Sequence, residues 1–128
     1  MKCAVSTQKI VQSGNPIELI AGSVHLKVYP SDVLLVLSDN HHVMIRTLSG
    51  ECRLRIRFSS VREILEESCD SFILVNRGIL VNLSHVCGIE GGCLSMRDGS
   101  KVPVRKNTHR KTAAAVLQFR LLHGQYTP

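Results

Sequence analysis

Three short polar clusters interrupt the apolar stretches of this sequence, and their side chains suit contacts with nucleic acid. Histidine and asparagine can hydrogen-bond base edges or phosphates, and arginine has a planar donor fork that fits guanine or a narrow minor groove. Lysine neutralises phosphate charge and makes binding depend on salt. The three clusters are Asn40-His41-His42, Asn76-Arg77 and Arg105-Lys106-Asn107.

Each cluster also has a purely structural interpretation. His41 and His42 can simply be turn residues. Arg77 stands inside an otherwise apolar run, a place that solvated arginines seldom occupy. Arg105 and Lys106 precede an expected helix, where positive charge opposes the helix dipole, so their placement costs some stability and points to a function. The residue types alone leave both interpretations open.

The charge of the chain is segregated along its length. The 128 residues include 16 Lys and Arg and 10 Asp and Glu, which gives a net charge of +6. From Lys101 onward there are basic residues and no acidic ones, whereas Glu63, Glu66, Glu67 and Asp70 gather in the middle. Such a basic region suits a polyanionic partner, either nucleic acid or an anionic membrane surface.

A stripe of arginines is a further basic feature. Across residues 51–58, apolar residues alternate with Arg53, Arg55 and Arg57, which is the period of a β-strand. The arginines would then share one face, either a solvated sheet surface or a surface that follows phosphates.

Catalytic and metal-binding signatures are missing from the sequence. There is no GxSxG, HExxH or phosphate-binding glycine loop, so we predict neither an enzyme nor a small-molecule substrate. His85, Cys87 and Cys93 lack a fourth ligand at a suitable spacing for zinc, so no metal or cofactor is expected. Five cysteines without a CxxC pair favour reduced thiols. Without a signal peptide or a long apolar run, we predict a cytoplasmic protein.

The elements that must position these clusters are mostly short strands. Residues 1–16 end in the turn sequence SGNP and are expected to form an extension, followed by one domain over residues 17–128. Period-two alternation and turn residues predict about eight to ten short antiparallel strands, a mainly β fold.

One internal helix and one C-terminal helix complete the prediction. The segment SSVREILEESC has an apolar stripe and a capping box made by Ser60 and Glu63. The terminal segment NTHRKTAAAVLQFRLLHG is rich in Ala and Leu, with Thr108 as its cap and Gly124 as its stop.

Four segments, in this order, resemble signatures of the LytTR family of DNA-binding domains. The run FILVNRGILVNLSHVCGI (residues 72–89) is similar to the family's central F-x-R-x-H-R-S-Y-x-V-N-x-x-x-I pattern, and KVPVRKN (residues 101–107) to its closing strand. DVLLVL (residues 32–37) and SSVREILEE (residues 59–67) are similar to its entry strand and its helix. The resemblance implies a bacterial transcription regulator that binds double-stranded DNA through loops of small antiparallel sheets.

The resemblance also implies DNA contacts, position by position. The family's two loops enter successive major grooves, and a residue between them faces the minor groove. Here His42 or its neighbour matches the first-loop histidine, Arg77 the residue between the loops, and Lys106 the arginine of the second loop. The implied contacts are His41, His42, Asn76, Arg77, Arg105 and Lys106.

The resemblance further implies how the protein would act. Family members tend to bind direct repeats, so two protomers would occupy one site on double-stranded DNA. At 128 residues the chain is similar to stand-alone members, some of which are controlled by a membrane-protein partner. The chain departs from the family pattern at Gly78-Ile79, where the family has Ser-Tyr, and at Leu74, where it has Arg.

A second hypothesis is an RNA-binding or protein-interaction β module that uses the same basic surface. Readers of single-stranded RNA usually stack bases on exposed aromatic side chains. The sequence has no Trp, two Tyr and three Phe, and these fall mostly on apolar faces. Stacking side chains are therefore in poor supply.

Overall fold

A computed structural model describes residues 15–122, so the predicted extension lies almost entirely outside the described residues. This part of the chain forms ten β-strands and two α-helices, which confirms the predicted mainly β fold. The strands are β1 (Ile17–Ala21), β2 (Val24–Val28), β3 (Val33–Asp39), β4 (His42–Thr47), β5 (Gly50–Leu54), β6 (Phe72–Asn76), β7 (Ile79–Asn82), β8 (Val86–Glu90), β9 (Cys93–Met96) and β10 (Lys101–Pro103).

The two helices are α1 (Phe58–Ser68), between β5 and β6, and α2 (His109–Leu122), after β10. Short 3-10 turns occur at Pro30–Asp32, Leu83–His85 and Lys106–Thr108. Neither described helix is long and apolar enough to cross a membrane.

The strands form three antiparallel sheets. β1 and β2 are a hairpin, β8 to β10 form a three-stranded meander, and the largest sheet has the order β5-β4-β3-β7-β6. β3 is central in the largest sheet and is buried on both faces over residues 33–36. Both faces of this strand must therefore be apolar, which explains its uninterrupted VLLVL sequence.

The five-stranded sheet separates two hydrophobic cores. The first core packs the sheet against α1 and the β1–β2 hairpin, and the second core packs it against α2 and the three-stranded sheet. The pairing of β3 with β4 shifts register between Val33 and Leu35. Because this bulge inserts one extra residue, the consecutive Leu34 and Leu35 both join the second core, while Val36 returns to the first.

The segment after β5 differs from the prediction. The strand ends at Leu54, so the alternation of residues 51–58 does not continue as strand. Ile56 and Phe58 still pack against the first core, and this burial of every second residue explains the strand-like pattern. α1 begins after Arg57 with no side-chain cap. The predicted capping box at Ser60 is therefore wrong.

The predicted cap of the last helix is also wrong. The Thr108 hydroxyl lies 3.0 Å from the Arg105 carbonyl and 3.3 Å from the Val75 carbonyl, so it serves as a donor to one of them. A cap would instead accept a hydrogen bond from a helix amide. The predicted stop at Gly124 lies outside the described residues.

Candidate nucleic-acid interface

The β3–β4 hairpin presents His41 at its tip. Asp39 pairs with His42, so Asn40 and His41 form a two-residue turn with φ of 46° and 69°. Positive φ at both positions is the requirement of a type I′ turn, and asparagine tolerates it better than most residues. The imidazole of His41 is exposed, and Nδ1 of the half-buried His42 lies 3.3 Å from the Asn40 carbonyl oxygen.

The β6–β7 turn lies directly beside this hairpin. Because β7 pairs with β3, Leu37 faces Ile79, and the Ser38 amide donates to the Gly78 carbonyl at 2.8 Å. Gly78 has a φ of +70°, and a Cβ at this position would lie 2.9 Å from the Cβ of Ser38. The two turns approach so closely that the structure requires a glycine here.

Arg77 is exposed on this turn, and the apolar run is interrupted because the chain reverses there. Its backbone amide donates to Oδ1 of Asn76 at 2.8 Å, which stabilises the turn without using the guanidinium. Within residues 15–122 the guanidinium has no ion pair. If Arg77 had a structural role, an acid such as Glu66 or Glu67 would be its expected partner, but Glu66 accepts from Arg62 at 3.0 Å and neither glutamate forms an ion pair with Arg77.

The connection from β10 to α2 lies on the other side of the same turn. The Arg105 amide donates to the Val75 carbonyl at 3.3 Å, and Val75 directly precedes Asn76. The side chains of Arg105 and Lys106 are exposed, and neither has an ion pair in the described part of the chain. The three polar clusters are therefore brought to one end of the molecule, with the Asn76-Arg77 cluster in the middle.

The width of the end that carries the three polar clusters follows from the strand spacing of the five-stranded sheet. The hairpin and the turn occupy four adjacent strands, β4-β3-β7-β6, which span about 14 Å at a strand spacing of about 4.8 Å. At the opposite end of the sheet, Arg46 donates to Glu51 at 2.7 Å and lies 3.7 Å from Asp98. Arg46 at that end is paired with acids, whereas Arg77, Arg105 and Lys106 have no ion pair among the described residues, so positive potential concentrates around the three clusters.

Arg55 and Arg57 belong to the same end, which the sequence pattern did not indicate. They flank Ile56 in the connection from β5 to α1, and both are exposed. Their alternation with apolar residues suggested a strand, and no local signal marked the end of β5 at Leu54. Here they border a cleft of about 250 Å³ beside the β3–β4 hairpin. Its lining is Ser38, His41, His42, Arg55, Ile56, Arg57 and Phe58.

The residues that were considered for zinc do not form a site. Among residues 15–122, no group of three or more His, Cys, Asp or Glu side chains could hold a metal. His85 is buried, with Nε2 2.7 Å from the Ser31 carbonyl oxygen, and the Cys87 and Cys93 thiols are free. Burial lowers the pKa of His85 below its ordinary value, so the neutral imidazole is favoured.

A family model described as the LytTr DNA-binding domain matches residues 24–116. The chain belongs to the LytTR family. This match covers well over half of the sequence and includes all six predicted contact residues, and it confirms the family that the motifs indicated. DNA is the partner that a LytTR domain implies. The individual contacts of His41, His42, Asn76, Arg77 and the Arg105-Lys106 pair stay a prediction.

A solved structure supports the fold of this LytTR domain. It is the LytTr DNA-binding domain of a protein named as a putative methyl-accepting/DNA response regulator from Bacillus cereus. The two are similar with a TM-score of 0.64 at 19% sequence identity, over 81% of this chain and 98% of that one. No curated protein matches the sequence.

Proposed function

We propose that this LytTR protein is a sequence-specific transcription regulator that contacts successive grooves of double-stranded DNA with three neighbouring loops. His41 or His42 of the hairpin would contact one major groove, and Arg105 and Lys106 the next. Arg77, preceded in the same turn by an asparagine, would face the minor groove between them.

The position of the Arg77 turn carries this proposal. The turn lies between two basic loops and is fixed by hydrogen bonds to its own backbone, while the guanidinium has no ion pair among the described residues. An arginine that stabilised the fold would be expected to bond a carboxylate or a carbonyl. An arginine without an ion pair, placed between two loops, suits a contact in the minor groove. The minor groove attracts arginine most strongly where an A·T-rich sequence makes it narrow.

The described aromatic residues argue against single-stranded RNA. Phe72 and Phe119 are buried, and Tyr29 and Phe58 are half-buried. No exposed Phe, Tyr or Trp ring on which a base could stack is therefore present between residues 15 and 122.

Selection of bound duplexes from a random pool tests the proposal. We expect enrichment of a sequence in two direct repeats, and a log-log salt slope of about −0.9 for each phosphate contacted. Sedimentation should show two protomers on a duplex with two repeats and one on a single repeat. Equal affinity for all duplexes, or displacement of the duplex by single-stranded RNA, would contradict the proposal.

The variant Arg77→Ala tests the central contact. We expect a loss of roughly 1–3 kcal/mol of binding free energy, with a flattened preference at the central base pairs and preserved preference at the flanks. Lys27→Ala is a suitable control, because Lys27 is an exposed cation without a described ion pair, close to the β4–β5 turn at the opposite end.

The melting temperature separates a contact role from a structural one. If Arg77 only contacts DNA, the variant Arg77→Ala keeps the melting temperature of the wild type. A lower melting temperature with an unchanged central preference would refute the contact.

A further inference from the structure

We propose that Arg55 and Arg57 form a phosphate-binding cleft that holds the DNA backbone outside the base-reading loops. This inference rests on the proposed function and adds a positioning contact to it. The ligand is a phosphodiester group of the same duplex, bound beside the β3–β4 hairpin on the side away from Arg77.

The chain directs both arginines outward because the residue between them packs, partly buried, against the core. Ile56 packs against the first core, and Phe58, the first residue of α1, packs against it as well. Arg55 and Arg57 alternate with these anchors and are therefore exposed. Ile56 and Phe58 hold the connection from β5 to α1 against the core. The backbone that carries the two guanidinium groups is therefore fixed in position.

The cleft has the composition of an anion site. Besides the two guanidinium groups, it is lined by His41 and His42 of the hairpin and by the hydroxyl-bearing Ser38, with no carboxylate in the lining. Its volume is about 250 Å³, against about 30 Å³ for a water molecule in the liquid, so a hydrated phosphodiester group has room.

The nearest acidic residue in the hairpin is already neutralised. Oδ2 of Asp39 lies 3.1 Å from Nη2 of Arg53, so this carboxylate balances the charge of that arginine. Arg55 and Arg57 have no ion pair among the described residues. Their charges are therefore available to an external anion, unlike those of Arg53.

The position of the cleft favours phosphate over base contacts. Strand β5 is the edge of the sheet next to β4, so the connection after β5 lies outside the hairpin, whereas Arg77 lies on its inner side. When a hairpin enters a major groove, the phosphate backbone borders it on its flank. Such contacts set the position of the protein on the duplex and carry no sequence information directly.

The double variant Arg55→Gln/Arg57→Gln tests the cleft on the duplex that selection recovers and on a random duplex. We expect the log-log salt slope to become shallower by about 0.9 for each phosphate that the variant no longer neutralises. Affinity for both duplexes should fall by the same factor, so that their ratio is preserved. Arg55→Lys/Arg57→Lys should keep the slope, since the charge remains.

Lys27→Gln is the control for loss of a cation elsewhere, since it removes one unpaired positive charge at the opposite end and should leave the slope unchanged. If the wild type prefers its selected duplex and the double Gln variant keeps the full slope, the cleft is refuted while the proposed function stands. If the double Gln variant loses the preference for the selected duplex, Arg55 or Arg57 contacts bases, and the positioning role is also overturned. A wild type without any preference overturns the proposed function itself.

Discussion

The variant Gly78→Ala measures how tightly the two central turns are held together. Gly78 has a φ of +70°, and an added Cβ would lie 2.9 Å from the Cβ of Ser38. Cβ is bonded directly to the backbone, so the side chain cannot rotate away from this contact. The Ser38 amide also donates to the Gly78 carbonyl at 2.8 Å, and any separation of the turns stretches that bond.

The expected cost has two parts. The left-handed conformation costs an alanine about 1–2 kcal/mol relative to the right-handed one. The forced contact resembles overpacking, which typically costs about 1–3 kcal/mol. We therefore expect Gly78→Ala to lower the free energy of unfolding by roughly 2–5 kcal/mol, a large share of the ~5–15 kcal/mol of a typical domain.

Two further variants separate these parts by urea unfolding. Gly91→Ala has a similar φ of +59° and nothing within 4 Å of its Cβ, so it should show the conformational cost alone. Ser38→Gly combined with Gly78→Ala removes the clashing Cβ and should recover the overpacking part, apart from the cost of a glycine in a strand.

Equal destabilisation by Gly78→Ala and Gly91→Ala would refute the close approach. The close approach would also be refuted if the stability of the double variant equalled the sum of the two single effects, because the two residues would then be independent.

The remaining predictions concern two buried polar groups at the opposite end of the sheet, where β3 begins. Asn82 is fully buried, with Nδ2 2.9 Å from the Val33 carbonyl and Oδ1 accepting from the Ser84 amide at 3.0 Å. Asn82→Ala should cost roughly 2–4 kcal/mol in urea unfolding, and a cost under about 1 kcal/mol would contradict this account. The buried His85 has a folded-state pKa below the ordinary 6.5, so the unfolded state takes up the proton first. Stability should therefore fall as pH drops below about 6.5, by at most about 1.4 kcal/mol per pH unit. His85→Gln, which keeps a donor for the Ser31 carbonyl, should remove this component, and an unchanged pH profile would disprove it.

Local patterns in the sequence were sufficient for most elements of this fold. Period-two alternation and turn residues identified the strands, because both signals act over a few neighbouring residues. The motifs also indicated the family, which the family match confirms. The prediction was wrong at residues 55–58. There the alternation of apolar and polar residues reflects packing of every second side chain against the core, and not a β-strand.

The candidate site depended on tertiary structure. Asn76-Arg77 lies more than thirty residues from the hairpin histidines and nearly thirty from Arg105-Lys106. These clusters meet because β3 pairs with β7 and the chain after β10 bonds to the end of β6. Such pairings join distant segments, and their register is set by burial on both faces of the sheet, which no short window of sequence contains. For the same reason only the folded chain shows why position 78 is glycine and that Arg55 and Arg57 lie beside the hairpin.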